Sequence, residues 1–139
     1  MAASIHRAGV SWEGGEGDDS RAHEVLLGAQ SLPSSSALEF GGDDTKSNPE
    51  MLLVGALASC HMLWFLSLVG KKGFEVASYE DDAEGVLDGK HFTSATLRPR
   101  VRWAGDPPPP EAIEEFHHRS HKLCFIAGSV TFPVEVEPQ

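Results

Sequence analysis

Basic charge is scarce in this chain of 139 residues: 11 Lys and Arg stand against 21 Asp and Glu, for a formal charge of −10. A phosphate backbone needs a basic face, so nucleic acid is excluded as an expected partner. Cysteine is almost missing. Two residues, Cys60 and Cys124, are too few and too far apart for a disulfide scaffold. The opening "MAASIHRAGVSWEGG" has no apolar stretch of leader length, so no secretory signal and a cytoplasmic location are expected. Repeats are absent, and the only low-complexity feature is the four-proline run at 107–110. Length and ordinary apolar content suit one domain over residues 1–139.

What the chain does have is one long uncharged run. Met51 to Val69 contains no Asp, Glu, Lys or Arg and is long enough to span a bilayer. Gly55, Ser59, Cys60, His61 and Ser67 weaken that reading, and the surrounding segments read as soluble strands and an amphipathic helix. No membrane partner is expected; a helix apolar on all sides is otherwise a buried one. Ser47 or Asn48 can cap this helix, Pro49 and Glu50 suit its first turn, and it should stop near Gly70 or Gly73.

Around it, residues 4–12 and 20–28 read as two strands of a hairpin through the turn "EGGEGDD", with a short third strand near 38–40. "FEVASYEDDAEGVL" and "HFTSATLRPRVRWAG" are strand-rich and joined at Asp88-Gly89, and "SVTFPVEVEP" is a last strand. A second helix runs from Pro110 to Gly128, with Ile113, Phe116, Ser120, Leu123, Cys124 and Ala127 on one apolar stripe. The class is α+β.

"LASCHMLWFLSLV" at 57–69 places a cysteine, followed directly by a histidine, in that apolar helix. Cys60 is either a small buried hydrophobe or a reactive thiol. With Cys124 on the second helix, packing of the two helices could bring the thiols together. His117, His121 and Cys124, with Cys60 as a fourth, offer a rival zinc set; it lacks the paired Cys-x-x-Cys of a strong zinc signal, and no metal is expected. His61 reads as a polar residue at the helix surface unless it assists the thiol.

"NPEMLLVGALASCHMLWFLSLVGKKGFEVASYEDDAEGVL" resembles the central segment of the OsmC/Ohr family, the osmotically inducible and organic hydroperoxide resistance proteins. Glu50 and Cys60 keep the family's ten-residue spacing, and "HHRSHKLCFIAGSV" is similar to the helix that carries its second cysteine, here Cys124. "CHML" and "SRAH" point to an OsmC-like branch. The resemblance implies an OsmC-like fold, antiparallel sheets around long central helices in an intertwined homodimer. It implies a cofactor-free thiol peroxidase of peroxide stress defence: Cys60 attacks an organic hydroperoxide, Cys124 resolves the sulfenic acid, and a dithiol (a lipoylated or thioredoxin-like protein) regenerates the pair. It also implies an arginine held by Glu50, since a thiol buried in mid-helix needs a cation to ionise. No arginine occurs in "SSSALEFGGDD", and Glu16 stands where one branch has Arg; Arg21 is the best match and Arg7 the second. Leu57, Trp64 and Phe65 are candidates for both core and substrate wall. The alternative is a metal- or small-ligand-binding protein of the same fold without efficient peroxidase activity. Ten residues of straight helix separate Glu50 from Cys60 by roughly 15 Å of rise, so Glu50 and Arg21 are expected to serve the thiol of the opposite subunit.

Overall fold

The computed structural model describes residues 2–14 and 20–139. Along the chain run β1 (Ala8–Ser11), β2 (His23–Leu27), β3 (Gln30–Ser34), α1 (Pro49–Lys71), β4 (Val76–Asp81), β5 (Glu84–Asp88), β6 (His91–Leu97), β7 (Pro99–Trp103), α2 (Pro110–Leu123) and β8 (Val134–Val136). The class is α+β, two helices with mostly antiparallel sheets. The chain divides into two compact units, Met1–Leu52 and Leu53–Gln139, with α1 beginning in the first and continuing through the second.

In the first unit, β1, β2 and β3 form an antiparallel sheet in that order. The segment between β1 and β2 includes residues 15–19, and with them Glu16, which lie outside the described residues. The third strand is not at 38–40, which is a single 3-10 turn, but at Gln30–Ser34. Gly28, at φ 61°, allows a two-residue turn that returns Gln30 opposite Leu27. Pro33 is tolerated because β3 lies at the sheet edge. Buried Ser34 and Ser35 tie the following loop back: the Ser34 and Ser47 hydroxyls are 2.9 Å apart, and the Ser35 N–H donates to the Ser47 carbonyl at 2.8 Å. Ser47 is thereby taken up in the loop, and Asn48 caps α1, its Oδ1 accepting the Met51 N–H at 2.8 Å.

In the second unit each strand-rich stretch breaks in two. Between β4 and β5, and again at Arg98, the chain turns a corner, so β4 pairs with β7 while β5 and β6 pair in a different sheet. The corner is held by the Arg98 N–H donating to Asp81 Oδ1 at 2.7 Å. Strand β8 joins β6 in parallel, an exception to the expected antiparallel pairing. Helix α1 buries Leu57, His61, Phe65, Leu68 and Val69, a run at helical spacing. Phe65, Leu68, Val69 and Phe116 form one core under β4 and β7, while Leu57, Ala95 and Leu97 form a second with β6 and β8. Gly85 in β5 leaves room for Val54, since a Cβ there would stand 2.7 Å from its Cγ2. α1 is long and apolar enough to cross a membrane, but its buried apolar positions belong to these cores; 28% of its most apolar window is buried within the chain. Gly55, Ser59, Leu63, Ser67 and Gly70 lie exposed along it.

Candidate active site: a thiol pair and a carboxylate-arginine cavity

Cys60 is half-buried on α1 and Cys124 is buried just past the end of α2; both are free thiols. Their side chains are near enough for Cys60 to act on the Cys124 thiol. The second helix stops at Leu123, five residues short of the expected Gly128, because Cys124 is already extended at ψ 116°. The apolar spacing misleads here for a local reason. A turn closed by the Gly128 N–H on the Cys124 carbonyl (3.0 Å) and a 3-10 turn at Ala127–Ser129 follow α2 directly, so helix-like spacing outlasts the α-helix. The Ala127 N–H reaches Cys124 Sγ at 3.4 Å. Burial pushes the Cys124 thiol up, the Ala127 N–H draws it down, and the neighbouring Cys60 raises it further. Cys124 is thus held as a thiol at neutral pH.

An apolar pocket of about 290 Å³ opens beside Cys60, lined by Leu63, Trp64, Ser67 and Phe125. Trp64 and Phe125 meet edge to face at 5.5 Å and 78°. Phe65 is not part of this wall. It is fully buried, stacked on His117 at 4.2 Å and in ring contact with Tyr79, Trp103 and Phe116. Successive helix residues point about 100° apart, so Trp64 and Phe65 serve different sides. Leu57 is core as well. Phe125 was not picked out from the sequence; its signal is adjacency to Cys124.

In the first unit, Arg21 and Glu50 line one cavity of about 440 Å³, with Val10, Trp12, Ser20 and His23 among its walls. Glu50 Oε2 is buried and has no hydrogen-bond partner among the described residues. Arg21 is exposed, and His23 Nδ1 lies 2.8 Å from the Arg21 carbonyl, so this nitrogen carries the proton and donates it. Arg21 and Glu50 form no ion pair with each other among the described residues. Arg7 is exposed and does not line the cavity.

The histidines depart most from expectation. His61 is not at the surface: it is buried, with Nε2 3.0 Å from His117 Nδ1. It stands four residues after Leu57 and four before Phe65 on the buried stripe, a spacing that permits burial without deciding it. Burial lowers both imidazoles to about 4, with His117 and His121 adding to the effect on His61. Among the described residues no three His, Cys, Asp or Glu side chains are gathered to hold a metal, so the His117, His121, Cys124 set does not assemble as ligands.

A family model described as OsmC-like protein matches residues 41–139. The chain belongs to the OsmC-like family. An OsmC-like protein of unknown function from Vibrio cholerae shares 33% identity and a TM-score of 0.89 with it, over 99% of this chain and 100% of that one. Two more distant structures share the fold of this OsmC-like protein. An organic hydroperoxide resistance protein OsmC from Legionella pneumophila has 18% identity and a TM-score of 0.68, covering 98% and 97% of the two chains. The organic hydroperoxide resistance protein OhrB of Bacillus subtilis has 19% identity and a TM-score of 0.66, covering 98% and 100%. A comparison with the sequences of curated proteins finds no match.

Proposed function

We propose that this OsmC-like protein is a thiol peroxidase for organic hydroperoxides, with Cys60 as nucleophile and Cys124 as resolving thiol. The observation that carries the reading is the thiol pair itself, two neighbouring side chains beside an apolar pocket. The Cys60 thiolate attacks the distal oxygen of the hydroperoxide; the O–O bond breaks, an alcohol leaves with a proton, and Cys60 becomes a sulfenic acid. The Cys124 sulfur then displaces the sulfenic oxygen as water, and the sulfur–sulfur bond forms. An external dithiol, lipoylated or thioredoxin-like, takes the disulfide back to two thiols by exchange. An alkyl group in contact with Leu63, Trp64 and Phe125 gains about 25 cal/mol per Å² buried, which favours organic hydroperoxides over hydrogen peroxide.

Arg21 and Glu50 are the groups proposed to ionise Cys60, and they do so in a homodimer. Glu50 presents a buried carboxylate oxygen without a partner among the described residues, which an arginine would satisfy. The exposed stripe of Gly55, Ser59, Leu63, Ser67 and Gly70 on α1, rich in small residues, suits close packing by a second copy. The first test is one equivalent of cumene hydroperoxide without reductant. The expected product has lost two hydrogens and yields a Cys60–Cys124 cross-linked peptide; two free thiols with the peroxide unconsumed refute the reading. The second mixes inactive Cys60→Ser and Glu50→Ala chains. Activity returning after subunit exchange supports the shared site, and verified heterodimers as inactive as their parents exclude it.

A further inference from the structure

The two elements that carry the thiols meet at a second point that the peroxide chemistry does not use. His61 follows Cys60 directly, and His117 stands seven residues before Cys124. They are 1% and 3% exposed, 3.0 Å apart from Nε2 to Nδ1, with rings parallel to within 3°. Their other ring nitrogens, His61 Nδ1 and His117 Nε2, are buried without partners among the described residues. Leucine or phenylalanine would fill such a core without orphaned polar atoms. An imidazole couple joined by one hydrogen bond and unpaired at both ends therefore calls for a reason.

We propose that the His61–His117 couple is a positioning device that sets α2 on α1 so that Cys124 meets Cys60. The inference takes its chemistry from the thiol-pair reading above. Its physical basis is that apolar contacts are non-directional and allow two helices to slide, whereas a buried hydrogen bond between two rings is satisfied in one register only. The two contacts use neighbouring positions on α1 but positions seven apart along the second segment, roughly 10 Å of helix. Together they set the crossing angle as well as the distance. Phe65, stacked on His117, holds the ring plane. Burial keeps both rings neutral, so one donates and the other accepts; His121 is the titratable neighbour that acts on His61.

The test is the equilibrium of the Cys60–Cys124 disulfide with glutathione, which needs no peroxide. In that exchange the two protein thiols give up two electrons and two protons, glutathione disulfide is cleaved, and two glutathione thiols result. The equilibrium constant reports the effective concentration of one thiol at the other. His117→Phe keeps the ring packing and removes the hydrogen bond; His117→Asn returns a polar group where Nδ1 stood. His117→Phe is expected to lower the constant about tenfold, about 30 mV for this two-electron couple, and His117→Asn to stay within about twofold of wild type. A kinetic readout should agree: first-turnover consumption of cumene hydroperoxide unchanged, with about tenfold more Cys60 sulfinic acid in His117→Phe. An unchanged constant in His117→Phe, or an equal loss in His117→Asn, overturns the proposal. Should His117→Phe fail to fold, His61→Met against His61→Gln carries the same decision from α1. Wild type that forms the disulfide with glutathione but leaves hydroperoxide untouched would sink the peroxidase reading and leave the positioning role standing.

Discussion

The two units of this chain are built to different degrees of completion. The second buries Leu57, Phe65, Val69, Ala95 and Leu97 in cores of its own. The first is a three-stranded sheet whose one buried large apolar residue among those described is Val25, while Val10 and Trp12 stand 74% and 62% exposed. The division matches that of the candidate site. The thiols, whose mutual distance must be held closely, sit in the unit with its own core. Arg21 and Glu50 sit in the unit with too little apolar burial to be stable as a module. The proposed nucleophile pair would need a rigid seat, whereas groups proposed to act on another subunit's thiol would gain their environment on assembly.

The sharpest way to break this comparison is at the thiol. Cys60→Ser should lower hydroperoxide consumption by at least about a thousandfold, because Cys124, kept protonated by burial, does not replace it. Retained turnover in a coupled dithiol assay would leave Cys60 a filler of the well-packed unit. Next come the cores. Phe65→Ala should cost about 3–5 kcal/mol of stability by denaturant titration. Trp12→Ala should cost little per folded chain but weaken dimers in sedimentation; a large concentration-independent loss would mean that the first unit is complete without a second copy.

The buried imidazoles give the second unit a pH signature. The unfolded chain protonates these rings near 6.5, the folded one only near 4. Protons therefore favour the unfolded state between these values. Stability is full above pH 6.5 and falls as pH drops through the window, by on the order of 3 kcal/mol per ring. Thermal melts between pH 7 and 4.5 check it, and the double variant His61→Gln, His117→Asn should flatten the slope. The smallest effect concerns the pocket. Removing Trp64 or Phe125 to Ala should reduce the preference for cumene hydroperoxide over hydrogen peroxide by about tenfold, the loss of one apolar contact surface. An unchanged ratio of catalytic efficiencies would take both rings out of substrate recognition.

Much of this was legible in residue order because local physics decides it. Pro49, Glu50 and the uncharged run announce α1, and the spacing of Glu50, Cys60 and Cys124 carries the family resemblance. The third strand was hidden because Pro33 breaks the strand pattern and only the sheet edge excuses it. The corners at Asp82 and Arg98 were hidden too, since two strands in different sheets read as one run when the break is a hydrogen bond from distant Arg98 to Asp81. His61 could face water or core on sequence alone; the partner that decides it, His117, lies 56 positions away. The same holds for Trp64 and Phe65, adjacent and both aromatic, one beside the thiol and one in the core. Sequence by itself determined where the two helices begin, the candidate chemistry and the residues capable of it, because spacing and side-chain type are local properties. Only the tertiary structure decided which of those residues meet, because a contact between Cys60 and Cys124, or between two buried rings, depends on how separate elements pack.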